Sequence, residues 1–326
     1  MMKIDRFFTR ARAALFTASF ALAAMTAAPV SASAPFAKTN APGFYRIMLG
    51  DFEVTAISDG TTDLPVDQLL KNTTPEKVDQ ILAKSFLKSP LESSFNGFLI
   101  NTGSKLVLID TGAGTLFSPT LGKLVANLKA SGYQPEQVDE IYITHMHPDH
   151  IGGLIADGKA AFPNAIVRAD KREGDYWLSD AEAAKANDQM KGFFQGAKAA
   201  LAPYVSTGKY QPFTGNSDLV PGIKAINSIG HTPGHTSYVV ESKGQKLVVI
   251  GDLIHVATVQ FPDPTIVIGF DTDSKAAEAE RLKTFAAVAK EGALMAGAHL
   301  SFPGLGHLRA DGKAYDWIPV NFTQIH

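Results

Sequence analysis

Residues 141–153 have the sequence IYITHMHPDHIGG. The apolar beginning predicts a buried strand, which runs directly into three histidines and one aspartate within six residues. Because alternate side chains of an extended segment point to the same side, His145 and His147 can bind one ion. Asp149 and His150 follow the proline turn, so they can reach a second ion.

Histidine and aspartate at this density are typical of a site for Zn²⁺ or a similar borderline divalent ion. Burying four such groups merely to cap a strand, without a metal, is energetically costly. Three further candidates each follow a predicted strand, where functional groups are typically presented. They are His231 after residues 223–229, Asp252 after residues 247–250 and His299 after residues 293–298.

The rest of the chain alternates strand-like runs with turn signals. Alternating and apolar runs predict strands over residues 44–49, 52–58, 95–101, 105–110, 141–144, 223–229, 237–241, 246–250 and 293–298. Helices are predicted from Leu121 to a stop at Gly132, within residues 171–205, and over Lys275–Lys290. Two strand-rich halves, each with helices, predict an α/β fold of two stacked mixed sheets with helices on the outer faces, in one domain.

The composition excludes several classes of protein. The chain has 326 residues, with 30 Lys and Arg against 32 Asp and Glu, a formal net charge of −2 and no cysteine. The absence of cysteine excludes disulfides, a thiolate nucleophile and Cys-ligated metals. The balanced charge, without runs of Lys and Arg, argues against nucleic acid as a partner. A hydrophobic content of 45% is too high for a disordered chain.

Residues 1–34 are expected to be a secretory signal peptide. They combine a basic start, an apolar run over residues 13–28 and a small-residue run over residues 31–34 that suits cleavage. The apolar run is shorter than the roughly 20 residues that cross a bilayer, so an uncleaved membrane anchor is the less favoured alternative. We therefore expect residues 35–326 to form an exported domain, periplasmic or secreted, with no membrane attachment after cleavage.

The pattern H-x-H-x-D-H, followed at a distance by His, Asp and His, resembles that of the metallo-β-lactamase superfamily. The resemblance implies the αβ/βα sandwich of that family and a binuclear metal site. The family's ligands fall residue by residue on His145, His147 and His231 for one metal, on Asp149, His150 and His299 for the second, and on Asp252 as the bridge.

Two other residues near this pattern are expected not to be ligands. His235 is four residues after His231, but the family pattern places the metal on the first histidine of this stretch. His235 is therefore expected to brace the loop from behind. Asp110, the last residue of the predicted strand over residues 105–110, is likewise expected behind the ligands.

The branch of the superfamily is suggested by further residues. Asp252 and the absence of cysteine count against β-lactam hydrolysis, whereas thioester hydrolysis of the glyoxalase II kind stays open. Residues 136–147, 191–194 and 297–304 look like those of methyl parathion hydrolases and their lactonase relatives, which act on substrates such as dihydrocoumarin. This likeness extends over about residues 40–320 and implies a homodimer.

By this likeness, Phe117, Trp177 and Phe193 line an aromatic pocket for the leaving group, with packing in the core as the alternative for each. His255 stands three residues after Asp252 and is expected to face the metals. The organophosphate hydrolase carries a leucine at that position and also differs at the positions of Ile268 and Phe270. A histidine and bulkier apolar residues favour a planar lactone over a tetrahedral phosphotriester. The alternative for His255 is a surface position at a strand end.

The expected function is therefore hydrolysis of lactones or aryl esters, with organophosphate triesters as a side activity. A primarily organophosphate hydrolase is the alternative within the same class. Two divalent ions about 3.5–4 Å apart would hold a bridging water whose pKa falls toward about 7. The hydroxide, oriented by Asp252, would attack the carbonyl carbon, and His255 would supply either a proton or a hydrogen bond to the leaving group.

Zinc is the expected metal, although sites of histidine and aspartate also accept Mn²⁺, Fe²⁺ or Co²⁺. An alternative from another class is a non-catalytic periplasmic metal-binding protein. Seven protein ligands over two ions leave coordination positions open for water, which favours catalysis.

Overall fold

This computed structural model describes residues 34–325. The predicted signal peptide therefore lies, but for Ala34, outside the described residues. From Phe44 onward the chain alternates short strands and helices. The strands are β1 (Phe44–Leu49), β2 (Phe52–Leu64), β3 (Leu70–Lys71), β4 (Leu91–Asn101), β5 (Leu106–Ile109), β6 (Glu140–Tyr142), β7 (Ile155–Ala156), β8 (Lys159–Ala160), β9 (Ile166–Arg168), β10 (Ser217–Val220), β11 (Ile223–Asn227), β12 (Thr236–Ser242), β13 (Gln245–Val249), β14 (Val267–Ile268), β15 (Leu294–Ala296), β16 (Leu305–Asp311) and β17 (Ala314–Pro319). The α-helices are α1 (Val66–Leu69), α2 (Pro75–Ala83), α3 (Leu124–Ala130), α4 (Pro148–Ile151), α5 (Lys171–Trp177), α6 (Asp180–Lys185), α7 (Asp188–Ser206), α8 (Ala257–Gln260) and α9 (Ser274–Glu291).

Most strands belong to two mixed sheets. The first has the order β1-β2-β4-β5-β6-β9, with β5, β6 and β9 parallel. The second has the order β10-β11-β12-β13-β15-β16-β17, in which β13 and β15 are parallel. Since β11 and β13 both run antiparallel to β12, the strands β11, β13 and β15 end at the same edge of their sheet.

The side chains of the central strands alternate between two apolar layers. On β5, Val107 and Ile109 pack with Tyr238 and Val249 of the second sheet, whereas Leu106 and Leu108 face the other way. This alternation buries both faces of the strand, because the first sheet has the second sheet on one face and helices on the other.

Helices cover the outer face of each sheet. Residues of α3, α5 and α7 pack on the first sheet, and Phe285 and Val288 of α9 pack on Val248 and Met295 of the second. The predicted α/β sandwich of two stacked mixed sheets with outer helices is therefore confirmed.

The predicted elements are mostly confirmed, with shifted ends. The hairpin turn at Gly50-Asp51 is present, but β2 continues to Leu64, and β6 ends at Tyr142, two residues before the predicted end. Helix α9 begins after its cap Asp273 and ends at Gly292, whose φ of 64° only glycine adopts readily. Helix α2 and the final hairpin β16–β17 were not predicted. Among the described residues, no helix is long and apolar enough to cross a membrane.

Candidate metal centre

The first cluster of polar residues follows β6. His145 lies in the turn after this strand, and the extended conformation of His147 immediately precedes α4. The first turn of α4 then presents Asp149 and His150. Pro148 at the first position of α4 favours this abrupt change from extended chain to helix, because its fixed φ suits a helix start.

The other three candidates come from the second sheet. His231, Asp252 and His299 follow β11, β13 and β15, the strands that end at the same edge. Gly251, at φ 52°, turns the chain between β13 and Asp252 and packs so closely on His235 that a side chain there would collide. Local turns at three strand ends thus deliver one side chain each to the cluster of the first sheet.

The structure brings all seven predicted ligands together in two groups that share Asp252. Six of the seven are buried, and Asp149 is partly exposed. The ligand atoms within each group lie within 4.8 Å of one another. The first group consists of His145, His147, His231 and Asp252, and the second group consists of Asp149, His150, Asp252 and His299.

Distances in the first group are short and regular. The Nε2 atoms of His145 and His231 lie 3.6 and 3.3 Å from Oδ2 of Asp252. His147 Nδ1 lies 3.1 Å from His231 Nε2. His231 Nδ1 is 2.8 Å from Oδ1 of Asp271, to which it donates, so its Nε2 is free to bind an ion.

The second group has the same spacing. His150 Nε2 lies 3.2 Å from Asp252 Oδ1 and 3.3 Å from Asp149 Oδ2. His299 Nε2 lies 3.2 Å from Asp252 Oδ2 and 3.5 Å from Asp149 Oδ2. Oδ1 of Asp252 therefore faces the second group, and Oδ2 faces histidines of both groups, so this carboxylate can contribute to both.

The donor set fits two divalent cations. Ligands held about 2.0–2.1 Å from a tetrahedral Zn²⁺ are about 3.4 Å from one another, which matches the spacing in both groups. Nε2 of His145, Nε2 of His150 and Oδ1 of Asp252 are buried without a hydrogen-bond partner. Buried polar atoms are normally paired, and cations between these atoms would satisfy them.

The ionisation of three of these residues, His145, His147 and Asp252, also suits metal ligands. At His150, His231 and His299 the neighbouring carboxylates outweigh burial and raise the pKa of each. Burial, together with neighbouring imidazoles, lowers the pKa of His145 and of His147 well below the usual value, so both are neutral. Burial alone would raise the pKa of Asp252, but the surrounding histidines lower it well below its usual value. A neutral imidazole and an ionised carboxylate are the forms that bind metals.

Asp110 and His235 lie behind the ligands, where the sequence analysis expected them. The carboxylate of Asp110 accepts hydrogen bonds from the backbone N–H and hydroxyl of Thr144 at 2.8 and 2.7 Å and lies 2.8 Å from His150 Nδ1. His235 Nε2 accepts from the backbone N–H of Asp252 at 3.0 Å, while its Nδ1 lies 3.0 Å from the carbonyl of Ser228. Both nitrogens of His235 are thus occupied, and burial lowers its pKa to about 3.

Sequence analysis missed two carboxylates that support the site. Glu173 on α5 is fully buried, and it accepts hydrogen bonds at 2.8 Å from the backbone of Met146, the hydroxyl of Thr232 and the backbone of Gly234. It therefore joins the loops that carry His147 and His231. Asp271 is the second, since it fixes the ring of His231. Neither residue belongs to a local motif.

A narrow cleft of about 330 Å³ opens on the cluster. Its lining includes the predicted residues Phe117, Phe193, His255 and Phe270, together with Leu64 and Phe95, which the sequence analysis missed. Its floor consists of His147, Asp149, Asp252 and His299.

Two pocket predictions need correction. Trp177 is fully buried and packs edge-on against His147, with ring centroids 5.2 Å apart, so it supports a ligand and does not line the cleft. Ile268 is buried in an apolar cluster with residues of α1, α2 and α8 and is not among the residues that line the cleft.

His255 is not a surface residue. It is buried, its Nε2 lies 3.1 Å from Asp252 Oδ2, and its ring stacks on that of His299 with centroids 5.0 Å apart. Its Nδ1 has no hydrogen-bond partner. The prediction that His255 faces the cluster is therefore confirmed, and the alternative of an exposed position at a strand end is wrong.

Known proteins share this fold and parts of this sequence. A solved structure described as hydrolase AbOPH in the beta lactamase superfamily is 42% identical, with a TM-score of 0.84 over 88% of this chain and 100% of that one. AidC, described as a dizinc quorum-quenching lactonase in complex with the product N-hexanoyl-L-homoserine, is 28% identical, with a TM-score of 0.80 over 86% and 99% of the two chains.

An N-acyl homoserine lactonase of Bacillus cereus is 26% identical over 205 residues, which cover 57% of this chain and 74% of the lactonase. The model of the metallo-beta-lactamase superfamily matches residues 95–299, the span that contains all seven candidate ligands. With this match, the chain belongs to the metallo-beta-lactamase superfamily, as a metal-dependent hydrolase.

Proposed function

We propose that this chain hydrolyses small lactones and aryl esters, with dihydrocoumarin as the model substrate. The observation that carries the proposal is the cleft itself, which is lined by Asp252 together with the aromatic residues Phe95, Phe117, Phe193 and Phe270. Aromatic walls favour a planar, apolar ring. A carbonyl attached to a ring held between these walls would lie against the ligand cluster.

The residues of the two ligand groups would bind the ions, and the ions would supply positive charge at the reacting atoms. The three histidines of the first group would hold one ion, and Asp149, His150 and His299 would hold the second. Asp252 would contribute to both sites. Divalent ions bound there would supply Lewis acidity, which lowers the pKa of a coordinated water and polarises a carbonyl. A phenolate leaving group, with a pKa near that of tyrosine at about 10, can depart with little help from an acid.

His255 is proposed to orient the substrate by a hydrogen bond. Burial, with the neighbouring imidazoles, lowers its pKa to about 4, although Asp252 opposes the shift. At neutral pH His255 is therefore uncharged, and it can donate or accept a hydrogen bond but cannot act as a cationic acid. Of the two roles expected from the sequence, a proton or a hydrogen bond to the leaving group, the lowered pKa favours the hydrogen bond.

The proposal is tested by kcat/KM of the zinc-loaded protein on dihydrocoumarin and on methyl parathion in the same buffer. We expect at least a tenfold preference for the lactone, which corresponds to about 1.4 kcal/mol of transition-state discrimination. The reverse preference would support the alternative of an organophosphate hydrolase. Metal binding without turnover of either compound would support a metal-binding protein instead.

The variant His255→Leu is expected to lower kcat/KM for dihydrocoumarin about tenfold, because it removes a hydrogen bond worth about 1.5 kcal/mol at the substrate. The rate with methyl parathion should fall less. His307→Leu is the matched control, since His307 is exposed on β16, away from the ligand cluster. An unchanged lactone rate in His255→Leu would rule out the proposed role.

We also propose that residues 1–34 are removed on export and that residues 35–326 form the active domain in the periplasm or outside the cell. The basic and apolar pattern of the N-terminus supports this. The mass of the protein recovered from the exported fraction tests it, since an intact N-terminus would contradict cleavage.

A further inference from the structure

The loop that carries His299 follows a strand of one sheet and packs against the other. The loop after β15 leaves the second sheet and packs against β4 of the first sheet, where it meets Ser94, Phe95 and Asn96. Strand β5 ends at Ile109, which is paired with Phe98, so the part of β4 before Phe98 has no β5 neighbour on that side. The loop fills this place, and the backbone N–H of Asn96 donates to the carbonyl of Ala298 at 2.9 Å.

The side chain of Asn96 holds the same loop on both sides of His299. Its Nδ2 donates to the carbonyl of Leu300 at 2.8 Å and to that of Gly297 at 3.3 Å. Asn96 is 5% exposed, so water does not compete for these carbonyls. An amide NH₂ carries two donors and no acceptor, which suits two carbonyl oxygens and excludes a carboxylate at this position.

The ring of His299 is fixed from the same strand. Its Nδ1 lies 3.2 Å from the carbonyl of Ser94, to which it donates, so Nε2 is left as the atom that faces Asp149 and Asp252. The backbone N–H of Phe302 donates to the hydroxyl of Ser94 at 3.2 Å. Position, direction and tautomer of His299 are therefore all set by residues 94–96, which provide no ligand themselves.

We propose that Asn96 is a positioning residue for His299 and that it determines whether the second group holds its ion. The other ligands do not depend on Asn96, because His150 is supported by Asp110 and His231 by Asp271. Loss of the Asn96 amide frees the peptides on both sides of His299 and leaves the first group intact. This inference rests on the proposed two-metal site and predicts which of the two ions is lost first.

The test is the zinc content of the purified protein at buffered free zinc, measured by mass spectrometry of the metal. We expect two zinc ions in the wild-type protein and one in Asn96→Ala, because the loss of an outer-shell partner lowers metal affinity about 10–100-fold. Asn101→Ala is the matched control, since Asn101 lies on the same strand and donates to the hydroxyl of Tyr133, far from the ligands. This control should keep both ions.

Replacement by cobalt gives a second measurement, because the absorption spectrum reports the geometry of each occupied site. Asn96→Ala should retain the spectrum of the first group and lose the contribution of the second. Two tightly held ions in a folded Asn96→Ala protein would overturn the inference, as would an equal loss of both. A wild-type protein that binds no metal would instead refute the proposed function.

Ser94→Ala keeps the inference testable if Asn96→Ala does not fold. This change removes only the hydrogen bond from Phe302 and keeps the carbonyl that orients His299. We expect a smaller loss of affinity, confined to the second ion. An unchanged affinity for that ion in Ser94→Ala would show that the hydrogen bond between Phe302 and Ser94 does not help to position His299.

Discussion

Asp252→Ala is expected to lower kcat/KM for dihydrocoumarin by about a thousandfold or more and to leave fewer than two metal ions on the protein. Asp252 belongs to both ligand groups, with Oδ2 facing His231 and Oδ1 facing His150. Its removal deletes one ligand from each group and the one negative charge that both groups share. A metal centre contributes several kcal/mol to transition-state stabilisation, and about 4 kcal/mol corresponds to a thousandfold in rate.

Metal content and activity are measured on the same preparation. Asp316→Ala is the matched control, because Asp316 pairs with Arg309 on the surface hairpin and contacts no ligand. The far-ultraviolet circular dichroism of both variants should match that of the wild-type protein. An active Asp252→Ala protein with two ions would refute the bridging role.

Glu173→Ala is expected to destabilise the protein by about 3–5 kcal/mol, which is large for a single substitution. The carboxylate accepts three hydrogen bonds from two different loops, and it is fully buried. Its removal leaves two backbone N–H groups and one hydroxyl unpaired, at about 1–3 kcal/mol for each group that finds no new partner. Denaturant unfolding of the metal-free protein measures this cost.

Two further variants test whether the loss of stability comes from the hydrogen bonds of the buried Glu173 carboxylate. Glu173→Gln keeps the shape and one acceptor, so it should cost less than alanine. Glu291→Ala removes a surface carboxylate that pairs with Lys246, and such pairs contribute little. Equal stability of Glu173→Ala and Glu291→Ala would show that the two histidine loops do not depend on the buried carboxylate.

The sequence predicts the ligand cluster well because three ligands each lie within four residues of a strand end and the other four lie in one short segment after β6. Strands are recognised from local alternation, and strand ends meet at sheet edges, so His231, Asp252 and His299 can be placed without knowledge of distant contacts. The pattern from His145 to His150 requires still less knowledge of the fold, since one strand and one helix turn present all of its ligands.

The residues that support the ligands cannot be predicted from the sequence in this way. Glu173 acts on groups 27 and 61 residues away, and Asn96 acts on a carbonyl 204 residues away. No periodicity in the sequence encodes such pairs. Trp177 and Ile268 show the same limit, because a likeness to other proteins predicts the kind of residue near a pocket but not the direction in which its side chain points.

The ligands come from both sheets, with His145, His147, Asp149 and His150 on the first and His231, Asp252 and His299 on the second. Disulfides are a common way to link distant parts of a chain covalently, and this chain has no cysteine. Each ion would instead be a reversible cross-link between the two halves. Because an ion that binds only the folded chain stabilises it by about 2.7 kcal/mol at one hundred times its Kd, the melting temperature would follow the concentration of free metal around the protein.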